Sequence, residues 1–394
     1  MAQEWTRFRG PDGGGISDAA TVPATWDASA VNWKVKLPGV GHSSPVVWGD
    51  KVFVTCADEQ NGTRTLACLA AADGSTAWKR DYTADAYRHH GENSYASSSP
   101  VVDGDHVYFC LMSPRELKVV ALKHDGTDAW STPLGPFVTQ HGGGHSPVVY
   151  GGLVIVANEQ DGPGSCLVAL DRERGTVRWT TPRKSYRFSA STPCVFRPRG
   201  GKEQLVFTSW AHGMTGVNPA DGAILWECPD AFDVRTVGSP VAANDAGLVL
   251  AGCGEGQGGH WLVAVRPPKE PGGKAEIAYK QTKNAPYVPT PLVQGDRLFC
   301  LSDSGVMTCA KASTGDTIWQ ERVPGGYFAS PVLAGDKIFC VSKRGDVVAL
   351  AASDKFELLG KTELGEKSHA TPAVSGGRMY VRTYGQLISV GGKK

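Results

Sequence analysis

Nowhere in the 394 residues does an apolar run approach the length of about 20 that a membrane-spanning helix needs. An excess of one charge is also missing. Lys and Arg number 40 against 39 Asp and Glu, a net charge of +1, so neither nucleic acid nor an anionic membrane is expected as the partner. The opening Met1-Ala2-Gln3-Glu4-Trp5 has no charged and apolar leader. It reads as a mature terminus after Ala-type cleavage with an initiator Met added, and the expectation is an extracytoplasmic, periplasmic protein whose signal peptide has been removed.

Disulfide signals are lacking too. There are 10 cysteines, no two of them adjacent. Cys56, Cys110, Cys300 and Cys340 each end a strand-like run ("KVFVTC", "HVYFC", "RLFC", "KIFC"). Cys68 and Cys309 share a slot before a turn glycine where Ala169 stands in another copy. Cysteine in such places acts as a small buried hydrophobe.

Turn residues, by contrast, are abundant, with 49 glycines and 25 prolines, and a hydrophobic content of 41% suffices for a core. They are arranged periodically. Ser/Thr-Pro pairs recur at Ser44-Pro45, Ser99-Pro100, Ser146-Pro147, Thr192-Pro193, Ser239-Pro240, Thr290-Pro291, Ser330-Pro331 and Thr371-Pro372, with proline spacings of 55, 47, 46, 47, 51, 40 and 41. A repeat of this length determines the fold. After each pair come an apolar run, a Gly-containing hairpin turn and a second run, as in "SPVVWGDKVFVT". A third run, a glycine turn and an aromatic follow, which puts Trp78, Trp130, Trp179, Trp226 and Trp319 at one position of a fourth strand. Tyr279 takes that position in the fifth copy and Leu359 in the seventh.

The pattern predicts an all-β chain: a single eight-bladed β-propeller of four-stranded antiparallel blades. The last copy supplies only three strands, and "VNWKVKL" around Trp33 supplies the fourth, closing the ring through the N-terminal strand. Residues 31–394 form the propeller. Residues 1–30 stand outside the repeat, and Trp5, Phe8 and Trp26 make them too apolar for a free tail, so this segment is expected to pack on the ring.

The stretches "ALDRERGTVRW" (169–179), "NPADGAILW" (218–226) and "KASTGDTIW" (311–319) resemble the tryptophan-docking repeat of PQQ-type (pyrrolo-quinoline quinone) propellers. That group includes the quinoprotein alcohol dehydrogenases and BamB-like scaffold proteins. The opening "WTRFRGPDGGGIS" (5–17) resembles the start of planctomycete-type PQQ-repeat proteins. The resemblance covers nearly the whole chain and speaks for fold more than for activity.

In an antiparallel blade, the lead-in loop and the loop between the second and third strands open on one face. His42, His89, His90, His141, His145 and His369 fall in lead-in loops, and His212 and His260 in second-to-third-strand loops. Glu92, Arg187 and Arg235 join them. "RHHGEN" (88–93) is an insertion: Trp78 to Pro100 takes 22 steps, against 12 from Trp319 to Pro331. Long loops on a rigid scaffold concentrate function. These eleven residues are the candidate ligand- or partner-binding set, with no catalytic role assigned to any.

Four chemistries come into question for this face. A transition metal stays open, although adjacent His89 and His90 point apart in extended chain and the triple glycine between His141 and His145 speaks against a helical ligand pair. PQQ with Ca²⁺, as the resemblance would imply, calls for a stacking indole and a vicinal Cys-Cys disulfide; Trp210 is the candidate indole, Glu59, Glu159 and Asp303 the candidate oxygen donors, and no adjacent Cys pair exists. A polysaccharide lyase would draw on Tyr95, Arg187, Arg235, Tyr287 and Tyr327. The reading preferred is a monomeric binding or scaffold protein for a protein or small-molecule ligand such as a saccharide, the enzyme readings being the alternative.

Overall fold

The computed structural model describes residues 4–185, 187–256 and 258–392. Eight sheets, each built on four antiparallel strands, form an eight-bladed β-propeller. Blade 1 runs through Val46–Trp48, Lys51–Ala57, Arg64–Ala70 and Thr76–Tyr82, from the axis outwards. Blades 2 to 7 repeat this order along the chain. Blade 8 takes three strands from the C-terminal end, and its outermost strand is Val31–Lys36, with Trp33 opposite Ser389 and Val35 opposite Leu387. The ring is therefore closed between the two ends of the chain.

Sandwiching between neighbouring blades explains the strand sequences. Second and third strands are covered on both faces, so "KVFVTCA" and "RTLACLA" are buried almost throughout rather than at alternate positions. Fourth strands have one face on solvent and alternate, as "TAWKRDY" does. The core is a series of layers between blades. One holds Phe53, Cys68, Val107 and Val120 between blades 1 and 2, and the largest spans the closing joint of blades 7, 8 and 1. All ten cysteines are free thiols, nine of them buried in such layers.

The outer-strand aromatics fasten each blade to the next. In all eight blades the pairing of the third and fourth strands shifts by one residue just before this position. A bulge of this kind re-aims the side chain that follows it. The indoles of Trp33, Trp130 and Trp179 then donate to carbonyls of the next blade's turn, at Ala71, Arg172 and Pro219, each 3.0 Å away. The turn glycine lies under the ring. At Gly74 (φ +75°) a Cβ would come within 2.6 Å of Trp33, so both conformation and space demand glycine. Tyr279 plays the same part through its hydroxyl on Ala312 O at 2.8 Å. Trp226 differs, since its indole donates to Gln204 in its own blade.

In the seventh blade the register corrects the sequence reading. The position opposite Ala349 is Gly360, not Leu359. Thr25 of the N-terminal segment covers Gly360, and the Trp26 amide donates to Thr362 Oγ1 at 3.1 Å. The chain's own leading segment thus fills the place of the missing indole.

That segment first crosses the channel. Trp5, fully buried, pairs with Val47 of blade 1, and Thr6 O accepts from Val102 N of blade 2. Arg7 reaches Pro193 O of blade 4. Arg9, with no exposed surface, donates to Thr290 O and Pro291 O of blade 6 and to Pro331 O of blade 7. Ile16–Ser17 then adds a parallel strand to Val332–Ala334 of blade 7. Gly15 (φ +76°) has no room for a side chain, since a Cβ would meet the Arg9 guanidinium at 2.8 Å.

Candidate functional site

The innermost strands all begin at a Ser/Thr-Pro pair, and these hydroxyls form a chain around the axis. Ser44 N donates to Ser99 Oγ at 2.8 Å and Ser99 N to Ser146 Oγ at 2.9 Å. The series continues through Thr192, Ser239, Thr290 and Ser330 to Thr371. Each link joins one blade to the next. It also uses the hydroxyl as an acceptor, so the O–H proton remains to be donated elsewhere. All eight of these residues line one cavity of about 440 Å³ on the axis. Phe8 of the crossing segment lines it too, so the cavity is a funnel with a floor.

Seven of the eleven candidate residues line this funnel: His42, His90, Glu92, His141, Arg235, His260 and His369. They form two clusters. In one, the His42 and His369 rings stack with centroids 4.3 Å apart, and Phe328 meets His369 edge-on at 5.0 Å. Burial, then the neighbouring His369 and Arg382, pushes the His42 imidazole down to about 2, and burial lowers His369 as well. Both rings are neutral at physiological pH.

In the other cluster His90 stacks on His141 with centroids 5.6 Å apart, and Arg235 donates from Nη1 to His141 Nε2 at 2.9 Å. That bond places the His141 proton on Nδ1, and burial followed by the Arg235 charge keeps the ring neutral. His260 lies over Tyr287 at 5.3 Å. Burial drives the Tyr287 phenol up, and it likewise raises Asp303, whose carboxylate accepts from the Tyr287 and Val288 amides.

The "RHHGEN" insertion ties the two clusters together. His90 N donates to His141 O at 3.1 Å on one side of the mouth. On the other, Glu92 pairs with Lys343 of blade 7 at 2.6 Å and lies 3.4 Å from His369 Nε2. Burial alone would raise Glu92, but the Lys343 hydrogen bond and the Lys343 charge outweigh it and hold the carboxyl low. The insertion is a strap over the mouth.

Four candidates lie elsewhere. His89 points away from its neighbour His90 and pairs with Glu59 at 2.9 Å. His145 is fully buried between Phe137 and Phe188, with neither ring nitrogen partnered among the described residues, and burial pushes it down to about 4. His212 bonds Glu227 at 3.1 Å in a network with Arg183 and the buried Glu159. Arg187 pairs with Glu255 at 2.6 Å and lies over Trp210. The loop assignment could not give the direction of the side chain. The eight hydroxyls and Phe8 were missed as site residues. A signal existed, because every copy has a hydroxyl before its proline and none has alanine.

The family described as "Outer membrane protein assembly factor BamB" matches residues 24–135, 62–268 and 282–355. The chain belongs to that PQQ-repeat family. No curated protein matches it in sequence. Among solved structures it is similar to BamB from Moraxella catarrhalis, at 14% identity and TM-score 0.63, over 90% of this chain and 95% of that one. The quinohemoprotein alcohol dehydrogenase ADHIIG from Pseudomonas putida HK5 is also 14% identical, with TM-score 0.66, over 100% of this chain and 81% of that one. The computationally designed Ika8 protein matches at 10% identity and TM-score 0.65, over 92% and 99% of the two chains. Likeness at this level describes the fold alone.

The residues of the funnel do not fit PQQ held by an indole, a cysteine pair and calcium. No tryptophan lines it, and Trp210 donates to Asp233 O outside it. Every cysteine is a single free thiol. Of the candidate oxygen donors, Glu59 is taken by His89 and Glu159 by Arg183, which leaves only Asp303 in the funnel. Among the described residues no group of three or more His, Cys, Asp or Glu is arranged to hold a metal ion, and no helix is long and apolar enough to cross a membrane.

Proposed function

We propose that this chain is an extracytoplasmic binding protein whose funnel receives a small ligand or a short segment of a partner. The observation that carries this reading is the floored cavity of about 440 Å³, lined by residues from several blades and strapped by a long insertion. That volume suits a ligand of saccharide size, and rings stand beside fixed polar groups as they do in small-molecule sites. Membership of the BamB family supports a binding role and an extracytoplasmic location, and BamB itself is described as an outer membrane assembly factor.

A lyase-type reading has one observation in its favour, the proximity of Tyr287, Arg235 and His141. The raised phenol works against Tyr287 as a base at neutral pH. Tyr95 and Tyr327 lie outside the funnel: Tyr95 Oη donates to Tyr87 O, and Tyr327 is fully buried on Pro324 O. Binding without turnover is the better account. Calorimetry of the whole protein against a panel of saccharides and sugar acids, with product analysis of the same mixtures, tests it. Saturable heat without conversion is expected, and conversion of any probe would replace the binding reading with an enzymatic one.

A further inference from the structure

Arg235 is out of place as a structural arginine. Its guanidinium lines the funnel, yet no carboxylate among the described residues lies within salt-bridge distance. Nη1 is bonded to a neutral imidazole, His141, and the group also lies against the neutral Tyr287 phenol. Nε is buried and has no hydrogen-bond partner among the described residues. Arg235 is half-buried, a permanent cation held among neutral groups with its buried Nε left over as a donor, and a planar guanidinium of this kind suits a carboxylate. The two carboxylates of the funnel are otherwise engaged, Glu92 with Lys343 and Asp303 with backbone amides.

The hydroxyl chain adds an independent observation. Seven of its hydroxyls already accept a backbone N–H from the preceding blade, and none donates to a protein acceptor among the described residues. The wall of the funnel therefore offers O–H donors as well as a guanidinium without a carboxylate partner among the described residues. Aromatic faces complete it: Phe8 at the floor, Phe188 and Phe328 on the sides, and the His42–His369 stack.

We propose that the funnel takes an acidic sugar, its carboxylate on Arg235, its ring against the aromatic walls and its oxygens accepting from the Ser/Thr hydroxyls. The inference rests on the reading of the funnel as a binding site. A charge-assisted bond to Arg235 should set the preference for the acid over its neutral parent.

Isothermal titration calorimetry of the whole protein with D-glucuronate, D-glucose, D-glucose 6-phosphate and benzoate tests the ligand class. Shielding of His90, the exposed histidine of the funnel, from diethylpyrocarbonate tests the location. D-Glucuronate is expected to bind at least about tenfold more tightly than D-glucose, and R235M to lose about the same factor. R235K should recover part of it, R187M should behave as wild type, and bound glucuronate should shield His90. Equal binding of glucose, preference for the phosphate or for benzoate, an unaffected R235M, or no heat with any probe would each overturn the acidic-sugar assignment. Shielding of His90 by glucose in those cases would leave the funnel standing as a site. A probe that binds without shielding His90 would remove the funnel itself from the account.

Discussion

His145 illustrates how a residue can share the composition of a site and none of its chemistry. It lies four positions from His141, yet it is sealed between two phenylalanines. Its imidazole takes up a proton near pH 6.5 in an unfolded chain but only near 4 in the folded protein. Between those values the unfolded state binds more protons, so folding stability falls as pH drops, by at most about 1.4 kcal/mol per pH unit from this group. H145L removes the titration and two unpartnered nitrogens. Urea unfolding should show equal or greater stability at neutral pH and a flatter loss between pH 6.5 and 4; a steeper loss would mean that the ring is charged in the fold. Arg9 makes the opposite case, a charge whose partners are all carbonyls. R9M leaves Thr290, Pro291 and Pro331 without that donor and should lower stability by roughly 3 kcal/mol in the same assay.

Among the elements, the fourth strand was the most legible and the strap the least. A glycine turn followed by an aromatic, repeated along the chain, specifies both partners of each inter-blade contact, because the glycine of one blade lies under the ring of the blade before it. W179A removes a ring that is 7% exposed and its bond to Pro219, and should cost about 3–5 kcal/mol by urea unfolding. Blade 7 differs by one residue because its turn is one residue longer, Ala351 N donating to Glu357 O where Lys311 N donates to Asp316 O in blade 6, and no turn glycine in "AASDKFELLG" marks the change. The length of "RHHGEN" marked it as unusual, but its anchorage on Lys343, 251 residues away, is a tertiary fact. E92Q should leave global stability within about 1 kcal/mol, since the pair is partly exposed. Amide exchange over 88–95 should accelerate while the blades stay protected, and unchanged exchange there would show that the strap is held by other contacts.

At the scale of the whole molecule, the repeat spacing disclosed eight blades and the closing strand, because every blade obeys the same local rules. The single-copy features were hidden. Nothing in the spacing says that "WTRFRG" crosses the channel rather than following the rim, since its arginines pair with carbonyls, which leave no complementary signal in the sequence. The closed funnel depends on that crossing. It turns a through-channel into a pocket, lined by the hydroxyls, Phe8 and an arginine without a carboxylate partner among the described residues. The most direct test is a crystal structure of the whole protein grown with D-glucuronate. The account predicts residues 5–9 across the axis and the sugar between Arg235 and the Ser/Thr hydroxyls. A channel open at both ends, or a ligand seated only outside the histidine-lined mouth, would contradict it.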